Sequence, residues 1–220
     1  MKYTPFPGLL FWGGAAVADV VLPPLFSDHL VLQKAADTPV WGTAAPGETV
    51  TVTLGEATAS TPADDRGTWS VRLDLAASPA GPFEMKVRGQ NELTVRDVLV
   101  GEVWLASGQS NMAFTLGSLK LEKEIATSAN PQIRQFQVRR RAAFTPQTTV
   151  QGTWQVAGPK TTGSFSATGY FFARAIHREL KQPVGIIASA WGGTAVLPWT
   201  PPEVLSPKEW EEMAQVICKD

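Results

Sequence analysis

Val98-Leu99-Val100-Gly101-Glu102-Val103-Trp104-Leu105-Ala106-Ser107-Gly108-Gln109-Ser110-Asn111-Met112 is the stretch whose reading decides the fold. Val98 to Ala106 is almost continuously apolar, with Glu102 the main exception. A short run of that kind, bounded by turn residues, reads as a strand buried on both faces. Gly108 supplies backbone freedom for a sharp turn. Ser110 and Asn111 follow, and a helical segment is expected from Met112. A small polar cluster therefore stands where a buried strand turns into a helix, the edge at which open α/β sheets bind ligands. A serine there has its own N–H and a helix N-terminus beside it, both suited to a developing negative charge. The plainer role for Ser110 or Asn111 is to cap the helix.

The same pattern recurs downstream. Val184-Gly185-Ile186-Ile187-Ala188-Ser189-Ala190 reads as a second buried strand, followed by the glycine turn Trp191-Gly192-Gly193-Thr194. A helix precedes it, so a parallel βαβ arrangement is expected. In a parallel sheet both turns open at the same edge and face each other across one site. Backbone N–H groups at a Gly-Gly turn can approach a ligand closely, because no Cβ stands in the way.

Gly101 to Met112 strongly resembles the nucleophile block of the sialate O-acetylesterase family, carbohydrate esterases of the SGNH-hydrolase type. That resemblance implies that Ser110 is the nucleophile and that Gln109 and Asn111 shape its loop. Ala190 to Thr194, with Trp199 soon after, resembles the family's second block, which supplies an oxyanion-hole amide. The resemblance assigns it to Gly193, with Gly192 as the alternative, and makes the N–H of Ser110 a second donor. It implies no metal or organic cofactor, and an O-acetylated carbohydrate as substrate.

From Val20 to about Arg96 the text is β. Thr49 to Leu54, Trp69 to Leu73 and Phe83 to Val87 alternate strictly, as in antiparallel sheets with one wet face. Turn signals lie between them at Ala45-Pro46-Gly47-Glu48, Asp64-Asp65-Arg66-Gly67 and Pro79-Ala80-Gly81-Pro82. Such spacing predicts a β-sandwich over residues 19–97. Leu22 to Gln33 resembles the start of the accessory β-domain of the same family, and His29 within it reads as structural or surface. Val95 to Val100 leads straight into the next strand with no flexible linker, so the two parts are expected to pack rigidly.

Beyond Met112 the reading is a helix within Leu119 to Ala129, a stop at Asn130-Pro131, and a strand from Ile133 to Val138. Arg139-Arg140-Arg141 reads as a solvated basic patch, with anion binding the lesser reading. Thr145 to Gly163 reads as a loop anchored by Trp154. Ser166 to Lys181 is the clearest helix, with Phe172, Ile176 and Leu180 on one face and Arg174, Arg178 and Lys181 opposite. His177 lies at the border of that stripe and reads as packed or surface. Ser206-Pro207-Lys208-Glu209 is a capping box with Pro at the first helical position. Trp210, Met213 and Ile217 then follow at helical spacing.

The totals exclude several classes. The formal net charge of −1 gives no electrostatic case for nucleic acid or an anionic membrane surface. Cys218 is the sole cysteine, so no disulfide within the chain and no cysteine metal site can form. With only His29 and His177 available, no structural zinc is expected. Eight Trp against two Tyr suits sugar stacking, although core is the default place for Trp. Residues 1–18 read as a secretory signal: Lys2, the apolar run Leu9 to Val17, and the small-x-small site Ala16-Val17-Ala18. The expected location is secreted or periplasmic.

A serine hydroxyl is a weak nucleophile until a base, oriented by a carboxylate, takes its proton. The family resemblance places an Asp just ahead of a His near the C-terminus, after a Gly-Glu-Ser-Asn-like block. No histidine follows His177 and nothing here matches either block. The expectation is an α/β SGNH-hydrolase-like fold (flavodoxin-like, three-layer) over residues 98–220, present as its N-terminal part, behind the all-β sandwich. The chain then reads as a fragment of a serine O-acetylesterase with little activity alone. The alternative is a secreted sugar-binding module without catalysis. The sequence leaves the acetylated sugar open.

Overall fold

The computed structural model describes residues 19–143 and 145–217, so the signal-peptide reading of residues 1–18 and Cys218 lie outside the described residues. Six strands come first: β1 (Val31–Gln33), β2 (Thr38–Thr43), β3 (Thr49–Leu54), β4 (Ala57–Pro62), β5 (Thr68–Leu73) and β6 (Phe83–Arg88). The long strand β7 (Glu92–Gly108) leads into the short helices α1 (Ser110–Ala113) and α2 (Glu122–Ala126). Then come β8 (Asn130–Val138), β9 (Gly152–Ala157), α3 (Ala167–Leu180), β10 (Val184–Ala190) and α4 (Pro207–Ile217).

One sheet carries most of the strands, in the order β4-β3-β6-β7-β10-β8-β9, with β1 beside β7; β2 and β5 pair separately. The first half of β7 runs antiparallel to β6, and Glu102 to Gly108 run parallel to Val184 to Ala190 of β10. β8 is parallel to β10 on its other side. The parallel pairing expected from the βαβ pattern is therefore present. β7, β8 and β10 all end at one edge of the sheet.

The alternating strands bury the residues their period assigns. Val50, Val52 and Leu54 of β3, Trp69, Val71 and Leu73 of β5, and Met85 and Val87 of β6 share one apolar cluster. That cluster also takes in Phe136 of β8 and Trp154 of β9, so the core of the β-rich part reaches under the α/β part. A second cluster joins Ile133, Tyr170, Ala173, Val184, Ile186 and Ala188 beneath α3.

Polar contacts reinforce the junction. Trp154 donates its indole N–H to the Leu25 carbonyl at 2.8 Å, and Val103 N–H donates to Gln33 Oε1 at 2.8 Å. Arg134 of β8, with only 2% of its side chain exposed, pairs with Asp97 Oδ1 at 2.8 Å and also donates to the Asp97 carbonyl. His29 Nδ1 meets the other oxygen of Asp97 at 2.6 Å. Burial alone would raise the Asp97 carboxyl. The hydrogen bonds from His29 and Arg134, with their charges, outweigh it and hold the carboxyl below its ordinary range.

Four readings need correction. First, β7 is buried at Val98 to Gly101 and at Ala106, but Trp104 is 44% and Leu105 67% exposed. Among the described residues no strand pairs with β7 opposite β10 beyond Gly101, so this half of the strand is an edge. Second, the helix expected within Leu119 to Ala129 is one short turn, α2. Third, Gly152–Ala157 inside the expected loop is β9, antiparallel to β8. Its apolar anchor Trp154 is what docks it. Fourth, α3 buries Gly169, Tyr170 and Ala173, while Phe172 and Leu180 are exposed. Small residues win that face because the helix lies close on β10: a Cβ on Gly169 would come within 3.2 Å of Ile186.

Candidate active site

The site is assembled where β7 and β10 end. Gly108 leaves β7 at φ 131°, a region that favours glycine, and Gln109 then caps the four-residue α1. Ser110 is its first residue and is half-buried. The Gln109 side-chain oxygen accepts from Ser110 N–H at 2.7 Å. That amide is open to another acceptor only when the Gln109 side chain turns aside.

The second turn is bonded to the first. Trp191 N–H donates to the Gly108 carbonyl at 3.0 Å. Two residues on, Gly193 N–H donates to Ser110 Oγ at 3.3 Å. Gly193 has φ +83° and open space where a Cβ would stand; a Cβ on Gly192 would lie 3.5 Å from Ser110 Oγ. The structure thus brings together Ser110, Gly192 and Gly193, as the two-turn reading predicts.

The start of α3 clamps the Ser110 loop from below, a feature the sequence reading missed. Ser166 Oγ donates to the Met112 carbonyl at 2.7 Å and accepts from Gly169 N–H at 3.1 Å. Thr168 Oγ1 donates to the Asn111 carbonyl at 2.9 Å, so Asn111 is tied in through its backbone. An N-cap serine in the sequence signals a helix start. Only the folded chain shows that the same hydroxyl reaches the Ser110 loop.

Two cavities flank this edge. One of about 360 Å³ runs from Met112 and Ala113 to Ser166 and Ala188. Another of about 290 Å³ lies between the Arg139-Arg140-Arg141 run and Trp191, Thr194 and Trp199. The arginines are exposed, as a solvated patch would be, yet they form a cavity wall and Arg140 Nε donates to the Ala190 carbonyl at 3.3 Å.

Neither histidine serves Ser110. His29 is bonded to Asp97, and His177 Nδ1 contacts the Gln182 carbonyl at 2.7 Å at the far end of α3. Among the described residues no cluster of His, Cys, Asp and Glu could hold a metal ion. What remains is a hydroxyl facing a glycine amide on an open edge. A carbonyl carbon approaching Ser110 could have its oxygen placed against Gly193 N–H.

A family model described as carbohydrate esterase, sialic acid-specific acetylesterase, matches residues 100–217. Mouse sialate O-acetylesterase is 36% identical over 195 residues, and the human protein 35% over 196. Each alignment covers 79% of this chain, but the chain spans only 36% and 37% of those relatives' lengths. Among solved structures, a carbohydrate acetylesterase from Xanthomonas citri superposes with a TM-score of 0.81 at 38% identity. That match covers 87% of this chain and 45% of the other.

Proposed function

The chain belongs to the sialic acid-specific acetylesterase family of carbohydrate esterases, and on that footing we propose that it carries the nucleophile half of a sugar O-acetylesterase site. The observation behind this reading is the Gly193 N–H to Ser110 Oγ contact at 3.3 Å, which joins the two motifs across the sheet edge.

In this reading Ser110 Oγ attacks the acetyl carbonyl carbon of an O-acetylated sugar and gives up its proton to a base. The tetrahedral oxyanion is held by Gly193 N–H, with Gly192 N–H as the alternative, and by Ser110 N–H once Gln109 releases it. Collapse breaks the bond to the sugar oxygen, which leaves with the proton and a hydroxyl restored. Water then attacks the acetyl-serine, giving acetate and free Ser110. Gln109 and Asn111 set the loop, and no metal or organic cofactor takes part.

The base and its carboxylate partner come from outside residues 19–217, because both histidines are engaged elsewhere. We read residues 19–97 as an accessory β-sandwich, 98–220 as the N-terminal part of an SGNH-like domain, and residues 1–18 as an export signal. The protein would thus act in a secreted or periplasmic setting. Among the described residues no helix is long and apolar enough to cross a membrane.

The test is acetate release from an O-acetylated sialic acid. Without its base the chain should release acetate slowly, and Ser110→Ala should abolish even that. Equal rates for parent and variant would overturn the assignment. The absence of a histidine near Ser110 also favours a second reading, sugar binding without catalysis. In that case residues 19–217 bind glycans whether or not these carry acetyl groups, and no acetate is released.

A further inference from the structure

Gln135 is a polar residue in an apolar place. It lies on β8, on the same face as Ile133, which joins the apolar cluster beneath α3, and only 2% of it is exposed. A buried amide is costly unless both of its ends are bonded. Both are: Oε1 accepts the backbone N–H of Ser166 at 3.1 Å, and Nε2 donates to Gln137 Oε1 at 3.0 Å. A leucine would fill the same space without that demand. What the amide adds is its grip on Ser166.

Ser166 caps α3, and all of its polar groups are engaged. Its N–H goes to Gln135, and its carbonyl accepts from Tyr170 N–H at 2.8 Å. Its hydroxyl accepts the Gly169 N–H and donates to the Met112 carbonyl. The next residues hold the same loop: Thr168 Oγ1 donates to the Asn111 carbonyl and Ala167 N–H to the Phe114 carbonyl, each at 2.9 Å. α1 needs this hold, because a single four-residue turn fixes more backbone than its own hydrogen bonds offset. The first turn of α3 therefore sets the direction of α1, and with it the place of Ser110. A line of bonded groups runs from a buried strand to the residue opposite Gly193.

We propose that Gln135 is a positioning residue: by fixing the Ser166 N–H it sets the first turn of α3 against α1, and so holds Ser110 Oγ within hydrogen-bond reach of Gly193 N–H. It acts through Ser166 and the Met112 carbonyl. The proposal rests on the Ser110 reading for its catalytic meaning, but the placement itself requires no reaction.

The test follows the Gly193 amide of the full chain by proton–nitrogen correlation NMR, since a hydrogen bond weakens as it lengthens or tilts. Ser110→Ala removes the acceptor and gives the reference position of that resonance. Gln135→Met keeps the bulk and removes both bonds; it should move the resonance at least halfway from the parent position to the reference. Gln135→Glu should return it to the parent position: desolvation holds a buried acid neutral, and it then keeps an acceptor for Ser166 and a donor for Gln137. Ser166→Ala should move it in the same direction as Gln135→Met. The Trp154 indole N–H, bonded to the Leu25 carbonyl beside the other apolar cluster, should stay in place throughout. A merely structural Gln135 would lower the melting point in Gln135→Met and leave the Gly193 resonance where it is, which overturns the proposal. A shift that Gln135→Glu fails to reverse, or one that Trp154 shares, overturns it too. If Gln135→Met does not fold, Gln137→Met decides, since Gln137 is exposed and the change takes only the acceptor from Gln135 Nε2. A smaller shift in the same direction supports the proposal, and no shift overturns it. Acetate release from a neutral aryl acetate by Ser110→Ala and parent tests the Ser110 reading separately, so the two can fail independently.

Discussion

The backbone N–H of Gly193 is aimed at Ser110 Oγ across 83 residues of sequence. The contact exists because two parallel neighbouring strands end in glycine turns at one edge, and Trp191 N–H ties the turns together through the Gly108 carbonyl. Gly193→Ala separates backbone from space. Nothing stands within 4 Å of the new Cβ, but φ +83° is unfavourable for any L side chain. The expected stability loss is about 1 kcal/mol. If Gly193 N–H holds the oxyanion as proposed, displacing it lowers the rate by roughly 100-fold. Acetate release and thermal melting, measured together, check both parts.

Gly192→Ala is the complementary change. Its Cβ would make ordinary contacts at 3.5 Å with Ser110, without a steric clash. Melting should stay at the parent value while the acetyl group loses room in front of Oγ. Unchanged acetate release from bulky and small acetyl esters would show that the proposed substrate does not pass this turn.

Ser166→Ala removes two bonds at once, the cap on α3 and the tie to the Met112 carbonyl. The cap alone is worth about 1 kcal/mol. Ser166→Thr restores a hydroxyl and should recover most of the loss. Chemical denaturation of the two variants against the parent decides it.

Asp97 makes stability depend on acid. Its carboxyl is held below the ordinary range, with burial opposing and the bonds from His29 and Arg134 prevailing. Because the folded-state pKa is depressed, the stabilisation is fully present above the unfolded value of about 3.9 and disappears as pH falls through the folded value. Asp97→Asn leaves the buried Arg134 without its counter-charge and should cost about 2 kcal/mol near neutrality. The gap between parent and variant should start to narrow as pH falls below the unfolded value and close only below the depressed folded value. Melting curves from neutral to strongly acid pH measure it; a gap that does not narrow as the pH falls contradicts the assignment.

Gly101→Ala tests the junction of β1, β7 and β10. A Cβ there would collide with the Pro183 carbonyl oxygen, and backbone cannot move aside cheaply. Overpacking of this kind costs about 1–3 kcal/mol. Loss of soluble folded protein, or a melting point several degrees lower, is the expected outcome.

The parts that were legible in the sequence are those whose cause is local. Period-2 alternation marked β3, β5 and β6; the glycine turns marked both site loops; and the Ser206 to Glu209 box appears as written, with Glu209 Oε2 accepting from Ser206 N–H at 2.8 Å. What escaped depends on neighbours. Trp104 and Leu105 look like core in sequence, but one edge of their strand has no partner among the described residues. The buried face of α3 was misassigned because closeness to β10 selected Gly169 and Ala173 over larger apolar side chains. Asp97 stands 68 residues from His29 and 37 from Arg134, so no spacing rule announces that triad.

β7 runs unbroken from Glu92 to Gly108, through the position where composition suggests a boundary at 97. Its first half is hydrogen-bonded to β6 and its second to β10. Neither part can open without fraying a strand the other part uses. Heat should therefore melt residues 19–217 in one transition, with calorimetric and van't Hoff enthalpies in agreement. The amides of β7 that bond to β6 and those that bond to β10 should exchange with solvent at a common, slow rate. A cut between residues 97 and 98 would give two pieces that each lack half a strand, so neither would keep a native fold.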